Sequence, residues 1–373
     1  MPLQSADRAQ DQGTQAWLIP PHKRATHWCV AGALTAIGRT HSLRGMPIFA
    51  MFRTCLLVAL LAMAPTARAA PMIMRVFAIN DHLWCFYDGR PPQSQVDPED
   101  HNWADFGANN VGVATYVIHQ GDRALVYDTF PSVKQAQWVR DYLAKAGIHH
   151  FTMVNSHAHL DHVGGNAVYA DSDRIATTRA RQSLIDHRTA IENGTFEGPP
   201  AIAPLAIPNV AITADTTYYV GDIEVDLRPV NIHSADGLVL YLPHDRLLLA
   251  GDTLEDTVTF ISEPAAIPDQ YRNLAAMRQW GFTRIYPNHG NPDVIAHGGY
   301  PIALIDTTRA YLRRMVEHAH DADYLDQPIG PYIADAVKAG TVSLWWAYID
   351  AHHENLAKVS EAYKDRPLPV FGP

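Results

Sequence analysis

Ser156-His157-Ala158-His159-Leu160-Asp161-His162 decides how this chain reads. Three imidazoles and a carboxylate fall between positions 157 and 162, after the apolar run Phe151-Thr152-Met153-Val154 and before Gly164-Gly165. On a helix or a strand these side chains would diverge. On a tight loop closing a buried strand they converge, and a point ringed by imidazole nitrogens and carboxylate oxygens suits a metal ion.

Three further donors stand in comparable places. His233 follows the strand ending Arg228-Pro229-Val230, Asp252 ends Leu247-Leu248-Leu249-Ala250-Gly251, and His289 follows Arg284-Ile285-Tyr286. Each sits at the exit of an apolar strand beside a small or turn-forming residue. Strand ends on one edge of a sheet are close in space, so all seven groups are expected to meet there.

The hydrophobic periodicity fills in the frame. Strands are expected at Met72–Ala78, Leu83–Tyr87, Val111–His119, Ala124–Asp128, Phe151–Asn155, Arg174–Thr177, Tyr218–Val220, Ile223–Val230, Leu238–Leu242, Arg246–Ala250 and Arg284–Tyr286. Gln120-Gly121-Asp122 turns a hairpin. Helical spacing covers Ser132–Ala146, Arg179–Glu192, Asp269–Trp280, Ile302–His320, Ile333–Ala339 and Leu344–Tyr363, with a loop over Gly89–Asn110 and an exposed one from Asn193 to Pro208. The expected fold is α/β (α+β): strand-rich halves with helices outside, over 70–300, then a C-terminal helical extension, 301–373.

With 373 residues, 47% hydrophobic, the chain can bury a large core. Residues 1–70 hold seven Lys/Arg against two Asp/Glu, a net of +5, so the remainder of this −10 chain carries −15. So acidic a body argues against nucleic acid and anionic membrane surfaces as partners. Arg53, the apolar run Cys55–Ala64 and the exit Ala67-Arg68-Ala69 have the layout of a cleaved signal peptide over 51–69, too short to span a bilayer. Residues 1–50 fit no element and read as an upstream start, so export to the periplasm or medium is expected, without stable membrane insertion. Cys85 is then the sole thiol of the body, in the apolar run Leu83–Tyr87, and reads as a small buried hydrophobe.

His157-x-His159-x-Asp161-His162, followed in order by His233, Asp252 and His289, resembles the metallo-β-lactamase superfamily over roughly Val111 to Gly290. The hairpin from Thr115 to Thr129 is similar to that family's entry strands. The resemblance implies a four-layer αββα sandwich with a dinuclear site, usually two zinc ions, with iron or manganese also compatible. By position it implies His157, His159 and His233 on the first metal, Asp161, His162 and His289 on the second, and Asp252 bridging. Two cations about 3.5–4 Å apart bring a bridging water near neutrality as a hydroxide nucleophile. Asp161 is the implied catalytic residue, orienting that hydroxide and passing on its proton. Asp128, Ser234 and Asp236 are expected to support the ligands from behind.

The expected substrate is a small ester, lactone or lactam. Exported β-lactamases of the family with a cysteine ligand carry Cys where this chain has Asp252 and Arg where it has His162. They commonly add a Lys where this chain has Glu255, whose charge is expected to repel a lactam carboxylate. The aspartate bridge is instead similar to glyoxalase II-like thioesterases and to lactonases, and an iron-dependent sulfur dioxygenase-like enzyme is a reading from another class. The loops Trp103–Phe106 and Phe196–Pro208 are expected to border the metal edge. In the extension, Tyr311, Leu312, Met315 and Val316 form one apolar stripe and Trp345, Trp346, Tyr348 and Ile349 another, expected to pack on the sandwich, with oligomerisation through these helices as the alternative. Arg313-Arg314 and His352-His353 read as surface.

Overall fold

Residues 72–96, 102–321 and 323–372 of the computed structural model are described; the leader read at 51–69 and the segment 1–50 lie outside the described residues. In the first sheet, β1 (Arg75–Asn80), β2 (Leu83–Asp88), β3 (Val113–Gln120), β4 (Arg123–Tyr127), β5 (His150–Val154), β6 (Asp173–Thr177) and β7 (Val210–Ile212) pair in sequence order. β1 to β4 are antiparallel, and β5, β6 and β7 join in parallel. The second sheet runs from β8 (Thr216–Val220) through β9 (Ile223–Ile232), β10 (Ser234–Leu242), β11 (Leu247–Gly251) and β12 (Arg284–Pro287) to β13 (Tyr300–Pro301), with β11 and β12 parallel and the other pairs antiparallel. The helices are α1 (Val133–Lys145), α2 (Leu160–Val163), α3 (Thr178–Asp186), α4 (Arg188–Glu192), α5 (Ile267–Met277), α6 (Pro292–Ala296), α7 (Ala303–Glu317), α8 (Gly330–Lys338) and α9 (Tyr348–Tyr363).

Alternation within the strands explains the layers. Ala114, Tyr116 and Ile118 of β3, with Leu125 and Tyr127 of β4, face the second sheet and join Leu238, Leu240, Leu248 and Ala250 in one core. Val113, Val117, Ala124 and Val126 point the other way, onto Ala136, Val139 and Leu143 of α1. Ser132 caps α1 by accepting from the Gln135 N–H. Outside the second sheet α5 packs on β9 and α7. The order is helix, sheet, sheet, helix, as expected. The apolar stripe Tyr311, Leu312, Met315 and Val316 is spent inside the same core, and Tyr348, Leu356 and Val359 of α9 join it.

Several expectations need correction. The helix read as Arg179–Glu192 breaks at His187, where the backbone (φ −99°, ψ 2°) leaves helical geometry and the ring Nδ1 donates to the Ser183 carbonyl. The loop from Asn193 to Pro208 is not wholly exposed: Ile202 and Leu205 are buried with Leu160 and Val163, and Phe196 and Trp103 pack against them. The Gly89–Asn110 loop contains a π-helical turn, Trp103–Asn109, capped by Asn102. Arg314 is half-buried, stacked on Tyr332 with Nη1 donating to the Pro331 carbonyl. His353 is on the surface, but His352 is fully buried, because α9 turns it under α7 and α8. Its Nδ1 lies 3.0 Å from Tyr311 Oη, and Nε2 donates to the Gln327 carbonyl at 3.1 Å.

Two consequences are measurable. Truncating the fully buried Leu125 to Ala should cost about 2–5 kcal/mol, read as a lower urea midpoint at unchanged slope; a midpoint within error of wild type would contradict this core. Burial holds the His352 imidazole down from 6.5 to about 4, with the Gln327 carbonyl opposing and His353 assisting, and the rings of Tyr311, Tyr332 and His353 face it. Between those pH values the unfolded chain binds the proton and the folded chain does not, so stability falls as pH drops from 6.5 towards 4. His352→Gln should flatten that part of the urea-midpoint profile, and a slope equal to wild type would argue against a neutral buried imidazole.

Candidate metal centre

Five strand exits deliver the polar groups to one edge of the sandwich. Asp128 follows β4, the histidine loop follows β5 after Asn155, His233 stands between β9 and β10, Asp252 follows β11, and His289 follows β12. Asp128 and His233 adopt the left-handed region (φ +66° for both), which turns each side chain out of the line of its strand. The glycines after the histidines are required by close approach. A Cβ on Gly165 would stand 2.2 Å from the Ala136 Cβ and 2.3 Å from the Thr129 carbonyl oxygen, so only glycine lets this turn lie against the 129–136 segment.

Two donor groups result. One ligand atom from each of His157, His159, His233 and Asp252 lies within 4.8 Å of the others, and the same holds for Asp161, His162, Asp252 and His289. Asp252 belongs to both. His159 Nδ1 is 3.2 Å from His233 Nε2, and Asp252 Oδ2 lies 3.6 Å from His157 Nε2 and 2.9 Å from His162 Nε2. His289 Nε2 stands 3.0 Å from Asp161 Oδ2 and 3.2 Å from Asp252 Oδ2. His157, His162, His233, Asp252 and His289 are buried, whereas Asp161 and His159 are half-buried and open the edge to solvent. His157 Nε2 and Asp252 Oδ1 are buried without a hydrogen-bond partner, an arrangement that fits a cation between them.

The far sides of the imidazoles are tied down. His162 Nδ1 donates to Asp128 Oδ2 (2.9 Å), His233 Nδ1 to the Phe260 carbonyl (3.1 Å), and His289 Nδ1 to the Gly112 carbonyl (2.7 Å). His157 Nδ1 lies 2.8 Å from Ser156 Oγ. Each ring therefore turns its other nitrogen into the cluster. Asp128, fully buried, also accepts from the Ser156 N–H (2.7 Å) and from Asn288 Nδ2 (2.6 Å). Asp236 Oδ2 accepts from the Ala158 N–H at 3.0 Å, and its carbonyl accepts from the Thr177 hydroxyl. Ser234 Oγ is buried without a hydrogen bond and reaches none of the donors.

The electrostatics divide along the same line. Burial, reinforced by neighbouring imidazoles, holds His157 well below the ordinary imidazole value and His233 down at about 3, so both present neutral lone pairs. Burial also lowers His159, against the pull of Asp161 and Asp236. Around the other group burial opposes charge but loses. His162 and His289 keep Asp161 and Asp252 well below the usual carboxylate range, and the carboxylates hold both imidazoles well above theirs. Two carboxylates in a buried cage call for compensating positive charge, and imidazole with carboxylate is a donor set that zinc accepts.

Glu255 corrects an expectation. It is buried and presents no charge to a substrate: Oε1 accepts from the Phe260 N–H (2.9 Å) and Oε2 from the Tyr348 hydroxyl (3.0 Å). Burial and nearby Asp252 push its carboxyl up to about 8. Ser156, Asn288 and the carbonyls of Gly112 and Phe260 also support the cluster and were not singled out from the sequence. Asn288 lies next to His289 and Ser156 next to His157, a local signal; the two carbonyls carry none. Of the two loops expected to border the edge, both pack on the histidine loop, and Trp103 Nε1 donates to the Pro200 carbonyl, joining them.

Solved structures similar to this chain include a metallo-beta-lactamase from Pontibacter korlensis (15% identity, 63% of this chain and 99% of that one, TM-score 0.46). VMB-1 (15%, 65% and 97%, 0.47) and DIM-1 metallo-beta-lactamase exposed to ceftazidime (18%, 64% and 99%, 0.43) are similar to a like degree. No curated protein matches the chain. The family model described as metallo-beta-lactamase superfamily matches residues 108–300, just over half of the sequence and all seven clustered donors. On that match, and with two overlapping His/Asp groups able to hold metal, the chain belongs to the metallo-beta-lactamase superfamily and is a metal-dependent hydrolase of that fold.

Proposed function

We propose that this protein is a dinuclear zinc-dependent hydrolase of a small ester, lactone or lactam, exported through the leader at 51–69. The observation that carries the reading is the pair of donor groups sharing Asp252. Under it, His157, His159 and His233 hold one ion, Asp161, His162 and His289 the other, and Asp252 both. When bound, such ions supply an activated water and polarise the carbonyl to be attacked.

The chain's own residues then have separable tasks. The imidazoles of His157, His162, His233 and His289, fixed from behind, keep their donor atoms in register. Asp161 has a side chain 15% exposed against 4% for Asp252, so it is the cluster carboxylate open to substrate and suited to orient a water and carry its proton away. Phe260, its ring 6.4 Å from that of His233, supplies an apolar wall, and Lys358 Nζ sits 3.9 Å above that ring. That ammonium is paired with Glu354 at 2.8 Å, and Glu255 is buried. No helix of the described residues is long and apolar enough to cross a membrane.

Metal analysis of the purified chain should give about two zinc ions per chain, with hydrolysis of an acyl lactone, a chromogenic cephalosporin or a thioester. Asp161→Ala should lower turnover by roughly 10²–10⁴-fold, and a variant with wild-type turnover would remove Asp161 from the chemistry. One iron per chain without hydrolysis would overturn the proposal. Asp128→Ala should weaken zinc binding by roughly 10–100-fold in chelator competition while unfolding stays cooperative; unchanged affinity would deny Asp128 its supporting role.

A further inference from the structure

Many polar contacts of the C-terminal extension fall on one loop, residues 252–262. Asn355 of α9, fully buried, takes hold of that loop on both sides of Phe260: its Oδ1 accepts from the Ile261 N–H at 2.8 Å, and its Nδ2 donates to the Thr259 carbonyl at 2.9 Å. The same Nδ2 donates to Tyr311 Oη on α7 at 3.0 Å, and Tyr311 in turn meets His352. Tyr348, at the start of α9, donates to Glu255 Oε2, and Glu255 Oε1 accepts from the Phe260 N–H. The remaining backbone polar group of Phe260, its carbonyl, accepts from His233 Nδ1.

Nearer the start of the loop, Ser343 donates to Asp256 Oδ1 from its N–H and to Oδ2 from its hydroxyl, and Thr257 Oγ1 donates to the Ser343 carbonyl. A loop with so many partners in the extension cannot choose its carbonyl direction alone. The direction of the Phe260 carbonyl sets the plane of the His233 ring and the nitrogen on which it carries its proton.

We propose that the C-terminal extension is a working part of the metal centre, with Asn355 and Tyr348 as positioning residues that fix His233 through the Phe260 carbonyl. The proposal rests on the reading of His233 as a metal ligand. Asn355→Leu fills the same space with apolar atoms and strands the Ile261 N–H and the Thr259 carbonyl in a buried place, so the loop must turn to satisfy them. Tyr348→Phe removes one O–H and keeps the packing.

The test uses the full chain and two probes, zinc in chelator competition and cobalt(II) followed by its visible absorption. Asn355→Leu should bind zinc roughly 10–100-fold more weakly and shift the cobalt bands, and Tyr348→Phe should move both in the same direction by less. Leu356→Ala, a fully buried packing change on the same helix, should lower the unfolding midpoint and leave the cobalt bands where they are. Should Asn355→Leu not fold, Asn355→Asp decides by the same readouts, since it keeps the acceptor for Ile261 and loses the donor to Thr259. Wild-type zinc affinity and cobalt bands in the folded variants would overturn the proposal alone. A wild-type chain that binds neither metal would overturn the hydrolase reading with it.

Discussion

A fully buried carboxylate, at the end of β4, is the constraint on which the site depends. The buried oxygens of Asp128 need donors, and they find three, two from the histidine loop and one from the turn after β12: the Ser156 N–H, His162 Nδ1 and Asn288 Nδ2. Satisfying that one side chain brings the histidine loop, the second donor group and the His289 turn to a common place. The left-handed backbone of Asp128 costs on the order of 1–2 kcal/mol, and hydrogen bonds to a charged acceptor offset such a cost. Ligand geometry is thus settled largely before any ligand atom is considered.

Much of this was legible in the sequence because it is local. A strand announces itself by composition and a two-residue period, and a donor just past its end needs only the chain direction to be placed. The exits of β5, β9, β11 and β12 could be read this way, whereas the role of Asp128 came from the family resemblance. The illegible part is made by contacts between distant segments. Nothing near Glu255 in sequence says that Tyr348 lies above it, so its charge was read as facing substrate. His352 and His353 were read together as surface because adjacent residues on a helix diverge, whereas burial on α9 depends on what α7 and α8 cover. The Asn193–Pro208 stretch has loop composition, yet Ile202 and Leu205 fill a hollow beside Leu160 that only the folded histidine loop creates. β7 and β13, three and two residues long, lack the length to show a period.

The helices after residue 301 contribute to the same hydrophobic core as the two sheets rather than building one of their own. Their polar residues reach inward as well. Trp345 Nε1 donates to the Asn110 carbonyl, and the Arg90 guanidinium lies under the Trp345 ring while Nη1 pairs with buried Asp256. Breaking that pair on one side would strand a charge in the interior, which is strongly unfavourable. The segment before β3 and the segment after α8 are thereby held against the same loop, each limiting how far the other can shift.

The margins of the two sheets have a consequence for behaviour at high concentration. Each sheet ends on one side in a strand of only three or two residues, β7 and β13. β1 at the other margin of the first sheet packs beside α6. The margins at β7 and β13 offer few free N–H and C=O groups for a foreign strand to copy, whereas β8 leaves a five-residue edge. At those two margins a sandwich so rich in apolar strands discourages the lateral strand addition through which β-rich proteins pass into fibres.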